Sequence, residues 1–195
     1  MSDLVPFRIT VCGLDELPGH RRSRVSHVLS ILDPEWPAPD AFGRYRAHTR
    51  LELRFHDVIE PEPPEPHMVR LLPPERGHVD QILAFGRSLT DEGGAGHLLV
   101  HCHAGVSRST ASMALILAQA RPDETAAKIF DTVLAIRPRA WPNLRILEFG
   151  DAMLGRQGEL TRAVLEVYRR QAARYPEMVD AMAAGGRRRE VAHLL

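Results

Sequence analysis

Lysine is almost missing from this chain: Lys128 is the only one, and arginine carries the remaining positive charge. Basic and acidic residues balance at 25 each, so the formal net charge is zero. No global field draws the protein toward nucleic acid or an anionic membrane, and neither is expected as a partner. Cysteine is scarce too. Cys12 and Cys102 are the only two, too few for a disulfide framework and in keeping with a reducing, cytoplasmic setting. Apolar runs are short, and none approaches the roughly 20 residues that span a bilayer. The opening MSDLVPFRITVCGLDEL lacks the basic-then-apolar layout of a secretory leader. Aromatics make up 6% of the chain, yet aliphatics are plentiful enough for a core, and 195 residues read as one domain. No internal repeat is visible, and oligomeric state leaves no mark on the sequence.

The apolar pattern orders the elements. FRITVC (Phe7 to Cys12) and VSHVLSIL (Val25 to Leu32) read as strands, and DPEWPAPD breaks the second. RLELRF (Arg50 to Phe55) alternates as a half-buried strand does. The prolines of DVIEPEPPEP exclude a regular element, which leaves a loop of functional length. A helix is expected from Glu75 to Leu89, then HLLVH as a buried parallel strand. Beyond it the pattern is helical: Arg108 to Ala120, a segment capped by Asp123 and running to Ile136, Pro142 to Leu154, and Leu160 to Arg174. The fold class is therefore α/β, a small, mostly parallel sheet flanked by helices, with a helical C-terminal half. Residues 1–175 form the domain, and 176–195, with GGRRREVAHLL, read as a solvated, partly mobile tail.

The chemistry gathers in HLLVHCHAGVSRSTASMALILAQ, His97 to Gln119. A strand that runs through a short loop into a helix aims backbone N–H groups at the space above the helix N-terminus, a ready anion site. Gly105 lets the loop curl closely round a ligand. Arg108 offers a planar fork that suits phosphate. The same surroundings favour the thiolate of Cys102, so the loop is arranged for nucleophilic attack on phosphorus or a similar centre. Ser109 stands where its hydroxyl can reach Cys102 and stabilise the departing thiolate. His101 is read as a structural group that fixes the cysteine and loop. His103 either shapes substrate approach or lies at the surface. Cys12 reads as a core thiol, with a redox partner for Cys102 as the minority reading, and Asp33 as a strand-end turn residue.

The run HCHAGVSRS, histidine-cysteine, five residues, arginine-serine, resembles the signature of the cysteine-dependent protein tyrosine phosphatase superfamily. The size resembles its compact dual-specificity branch, and RLELRFHDVIEP ahead of a helix and the cysteine strand is similar to predicted bacterial tyrosine phosphatases. The resemblance covers about Val25 to Leu154. It implies the tyrosine phosphatase-like fold and a phosphomonoester hydrolase, directed at phosphotyrosine, that acts through a phosphocysteine intermediate. It also implies a phosphorylated protein or a small phosphomonoester as substrate and no metal or organic cofactor. Cys102 would be the nucleophile, with Ser109 beside it. His103, Ala104, Gly105, Val106, Ser107 and Arg108 would form the phosphate loop, and Asn143, in RPRAWPNLRILEF, would support it. The family's general acid is an aspartate on a mobile loop. Asp57 holds that place, but the interval to Cys102 is long, and Glu60, Glu62 and Glu65 stand as alternatives. Two other functions compete with hydrolysis: a catalytically silent phosphate-binding module, and a sulfurtransferase or arsenate reductase-like enzyme.

Overall fold

The structure is a computed structural model that describes residues 4–60, 70–91 and 96–194. Four strands, β1 (Arg8–Cys12), β2 (His27–Leu32), β3 (Thr49–Arg54) and β4 (His97–His101), form one sheet in the order β1-β4-β2-β3, every pair parallel. The register sets Cys12 and Ser30 opposite His101 from either side. Helix α1 (Arg76–Asp91) connects β3 to β4. After β4 the chain is helical: α2 (Arg108–Ala120), α3 (Ala126–Ile136), α4 (Leu144–Met153), α5 (Glu159–Arg174), α6 (Glu177–Ala184) and α7 (Arg188–Val191).

The period of two along each strand divides the core between the two faces of the sheet. Leu98 and Val100 of β4 and Leu29 and Ile31 of β2 join the larger cluster with Ala111, Leu115 and the other buried residues of α2. Leu99 and Val28 point the other way, into a smaller cluster with Leu17, Val25 and Phe42. A strand covered on both faces has no polar side, which is why HLLVH is a continuous apolar run. Helix α2 packs against the sheet, α1, α3 and α4, and its residues from Arg108 to Ala118 are buried.

Two expectations are corrected here. The cap of α3 is Thr125, whose hydroxyl oxygen accepts the Lys128 N–H at 3.3 Å. Asp123 instead lies in the turn closed by the Glu124 N–H on the Arg121 carbonyl. The segment read as a solvated, partly mobile tail holds α6 and α7 and buries Arg187, Glu190 and Val191. Just beneath it Trp141 stacks on Tyr168, ring centroids 5.1 Å apart.

Candidate active site

In a parallel sheet all strands end on the same side, and the crevice beyond their carboxyl ends is where ligands bind in open α/β folds. Here Gly13 follows β1, Asp33 follows β2, Asp57 lies three residues past β3, and Cys102 follows β4. The loop from Cys102 to Ser107 then delivers the chain to the N-terminus of α2.

Backbone contacts beneath the loop fix its shape. The Leu14 N–H donates to the His103 carbonyl at 2.9 Å. Gly105 has φ +68, and a Cβ there would overlap the backbone of Cys12 and Gly13, so this position admits only glycine without strain. Arg137 donates to the Ala104 carbonyl at 2.8 Å and to Glu16 at 2.9 Å, while Glu16 accepts the Gly13 N–H at 2.6 Å. The Val106 carbonyl accepts the Trp141 N–H at 2.8 Å.

Within the loop Cys102 is buried, and its Sγ lies 3.2 Å from the Ser109 hydroxyl. Arg108 is buried as well. One guanidinium nitrogen, Nη1, donates to Asp33 Oδ1 and to the Phe55 carbonyl, both at 2.6 Å. Its Nε has no protein partner, so an N–H remains for an incoming oxygen. Ser107 occupies the cap position of α2 but does not cap it. Its hydroxyl donates to Asp57 Oδ1 at 2.6 Å instead, which leaves the first-turn N–H groups without a side-chain acceptor, the arrangement that attracts an anion.

Asp57 sits at the centre of a second set of bonds. Oδ1 also accepts from Asn143 Nδ2 at 2.9 Å, and Oδ2 pairs with Arg187 Nη1 at 3.3 Å. Burial alone would raise the pKa of this carboxyl, but the Arg187 and Arg108 guanidiniums and the Ser107 and Asn143 hydrogen bonds outweigh it and hold the pKa below the usual aspartate value. Asn143 has two tasks: its Oδ1 caps α4 by accepting the Ile146 N–H at 3.2 Å, and its amide nitrogen holds Asp57. Of the alternative acids, Glu60 is exposed and pairs with Arg189 at 3.4 Å. Glu62 and Glu65 lie outside the described residues.

His101 is fully buried, and its Nε2 shares a hydrogen bond with the Ser30 hydroxyl at 2.8 Å. Burial pulls its pKa down to about 4, so the ring is neutral near pH 7. His103 accepts the Asp33 N–H at 3.3 Å and packs on Trp36, ring centroids 4.6 Å apart. Burial lowers its pKa as well, with Asp33 acting against that shift. Cys12 is buried in the smaller core cluster and Cys102 in the larger. Burial, the largest cause, together with Glu16 pushes the Cys12 pKa up to about 12.

The sequence reading missed three contributors. Asp33 is the partner of Arg108, not only a turn residue. Its signal was available: it follows a parallel strand on the same side of the sheet as Cys102. Trp36, one of three large apolar residues exposed among the described residues, covers His103 beside the loop. Arg187 reaches Asp57 across 130 residues of sequence, and nothing local marks it. A hollow of about 710 Å³ between β1 and α3 is lined by none of the loop residues from Cys102 to Arg108.

No family model matches the chain. Dual specificity protein phosphatase 12 of Rattus norvegicus is 35% identical over 174 residues, which cover 86% of this chain and 45% of the rat protein. The Mus musculus protein of the same name is 34% identical over 130 residues, 65% of this chain and 32% of that protein. The chain thus spans less than half the length of these relatives. Among solved structures, DUSP15 superposes with a TM-score of 0.56 at 24% identity, over 85% of this chain and 95% of that one. Human DUSP28 gives a TM-score of 0.53 at 19% identity, over 78% and 97%. The α/β architecture, with its parallel sheet and helical second half, is the tyrosine phosphatase-like fold of these neighbours.

Proposed function

Because the chain belongs to the cysteine-based, dual-specificity-phosphatase-like superfamily, we propose that it is a phosphomonoester hydrolase that works through a phosphocysteine at Cys102. One observation carries the reading: a buried thiol, a serine hydroxyl 3.2 Å from it, and a buried arginine with an unpartnered Nε all meet at an uncapped helix N-terminus. The phosphoryl oxygens sit on the first-turn N–H groups of α2 and on Arg108. Asp33 and the Phe55 carbonyl hold the guanidinium from behind. The Cys102 thiolate attacks phosphorus, a P–S bond forms, and the P–O bond to the leaving group breaks. The leaving oxygen takes its proton from Asp57, which is protonated when the negative charge of the bound phosphate offsets the neighbouring guanidiniums that otherwise favour its carboxylate. In the second half, Asp57 accepts a proton from water as the water oxygen bonds to phosphorus. The P–S bond breaks, the Ser109 hydroxyl stabilises the departing thiolate, and inorganic phosphate leaves. Preorganised donors of this kind stabilise the charge that develops on the equatorial oxygens.

The substrate in this reading is a phosphorylated protein or a small aryl phosphate, with phosphotyrosine favoured. Trp36 and His103 give the rim an aromatic surface against which a phenol ring can lie. In this reading the protein works in the reducing cytoplasm, where its two free cysteines stay reduced.

The test is turnover of p-nitrophenyl phosphate by the parent and by Cys102→Ser, with acid-quench trapping of the intermediate. The parent should release phosphate and trap a thiophosphate-linked adduct. Cys102→Ser should lose turnover yet keep vanadate binding. Undiminished hydrolysis in that variant would reject the assignment. Binding without turnover in the parent would mark a silent phosphate-binding module, and sulfur transfer from thiosulfate would mark the third reading.

A further inference from the structure

The C-terminal segment ends in a buried ionic knot that touches the candidate acid. Arg187 and Glu190 have side chains 3% and 0% exposed. Arg187 Nη2 donates to Glu190 Oε2 at 2.6 Å and to the Trp141 carbonyl at 3.1 Å, and Nη1 reaches Asp57 Oδ2 at 3.3 Å. Glu190 in turn accepts the Trp141 indole N–H and the Leu144 backbone N–H, both at 2.8 Å. The Ile59 N–H donates to the Gly186 carbonyl at 3.2 Å. The segment is therefore bonded both to the loop that carries Asp57 and to the turn that carries Asn143, the two elements that present the carboxyl.

We propose that Arg187 is a positioning residue for this chemistry: it holds the Asp57 carboxyl against the phosphate loop, so that the C-terminal segment is a working part of the active site. The proposal rests on the reading of Asp57 as the proton-transfer group. An isolated buried guanidinium would be costly. This one is placed with its fork shared between two carboxylates, one structural and one at the site. Its geometry divides the labour at Asp57. Arg187 takes Oδ2, while Ser107 and Asn143 converge on Oδ1. Rotation of the carboxyl would break bonds at both oxygens, so its direction is set from two sides. The charged and titratable groups that act on Asp57 are Arg108 from the start of α2, His103 from the loop, Tyr168 from α5, and Arg187 and Glu190 from the C-terminal segment. Of these, Arg187 bonds directly to Asp57 from outside the phosphate loop. Its charge favours the carboxylate, the form that accepts a proton from water in the second half-reaction.

The experiment compares Arg187→Met, Arg187→Lys and Asp57→Asn on phenyl phosphate, a poor leaving group, and on p-nitrophenyl phosphate, an activated one. Misplaced proton transfer should slow phenyl phosphate by at least about tenfold and the activated substrate by less than about threefold in Arg187→Met. The basic limb of kcat/KM should move to higher pH, because the charge that opposes protonation of Asp57 is gone. Arg187→Lys keeps the charge without the fork. It should restore the limb but not the full rate on phenyl phosphate, and it carries the test if the methionine variant does not fold. In the Asp57→Asn background neither substitution should change the ratio of the two rates further. A loosened fold would slow both substrates alike and leave the limb in place, which would overturn the proposal. If Asp57→Asn shows the leaving-group effect and the Arg187 variants do not, Arg187 is structural and the acid assignment stands. If Asp57→Asn leaves the ratio unchanged, both fall together.

Discussion

Replacing Arg108 by lysine keeps the charge and removes the fork, which makes it the sharpest probe of the phosphate loop. In the parent, Nη1 is fully committed to Asp33 and the Phe55 carbonyl, while Nε on the opposite edge is buried with no protein partner. A guanidinium can serve both sides at once; an ammonium cannot. The lysine will pair with Asp33, because that carboxylate is already in place, and the phosphoryl group then loses its charged donors. Hydrogen bonds to charged groups contribute about 1.5–3 kcal/mol each. Losing the two N–H groups of that edge should therefore cost about 3–6 kcal/mol, or about 10²–10⁴-fold in kcat/KM at 1.4 kcal/mol per tenfold. Steady-state hydrolysis of p-nitrophenyl phosphate and inhibition by vanadate measure the effect on transition state and oxyanion together. A thermal melt serves as the control, since the Asp33 pair survives. If kcat/KM and vanadate inhibition both stay within about threefold of the parent, the arginine is not the phosphate ligand and the reasoning from its geometry is wrong.

Acid should weaken the fold in two steps. His101 is held neutral with its pKa near 4, against an ordinary value of 6.5. The unfolded chain therefore takes up this proton first, and the stability from the neutral ring is complete above about pH 6.5 and lost as pH falls toward 4. The loss is about 3 kcal/mol. Urea unfolding at pH 7 and pH 4.5 should show it, and His101→Asn should flatten that interval; an unchanged slope would refute the assignment. At lower pH a second loss follows from Asp57, whose depressed pKa adds stability above the unfolded carboxyl value that disappears as pH falls through the folded one. Gly105→Ala should reduce both stability and turnover, because the left-handed backbone costs about 1–2 kcal/mol for a residue with a Cβ and the methyl meets the Cys12 backbone. A melt and a rate equal to the parent's would show that the loop adapts.

The central unit was legible to the residue. HLLVH became β4 at His97–His101, and the helix expected from Arg108 to Ala120 runs over those residues. The first is a continuous apolar run and the second is buried from Arg108 to Ala118, so local pattern and tertiary burial agree there. Asn143 was marked only by the family resemblance; the helix expected from Pro142 begins at Leu144, with Asn143 as its cap. The cap of α3 was harder, because Asp123 and Thr125 both suit a cap and only the register of Ile129, Phe130 and Val133 against the core decides between them. Asp33 could have been read from strand polarity, though its short-range pattern is that of a turn. Arg187 and Glu190 could not. The stretch GGRRREV is what a solvated end looks like, and its meaning depends on Asp57 and Trp141, far away in the chain.

That separation has a temporal side. Asp57 emerges 130 residues before Arg187. At synthesis rates of about 5–20 residues per second, this is an interval of about 6–26 s. Throughout it, a nascent chain can assemble the sheet and α2, yet the carboxylate beside the loop lacks its countercharge and the Trp141 indole and Leu144 amide lack their acceptor. Closing the domain early would bury those groups unpaired, which is costly. The order of synthesis therefore favours leaving that corner open to water until α7 arrives with Arg187 and Glu190.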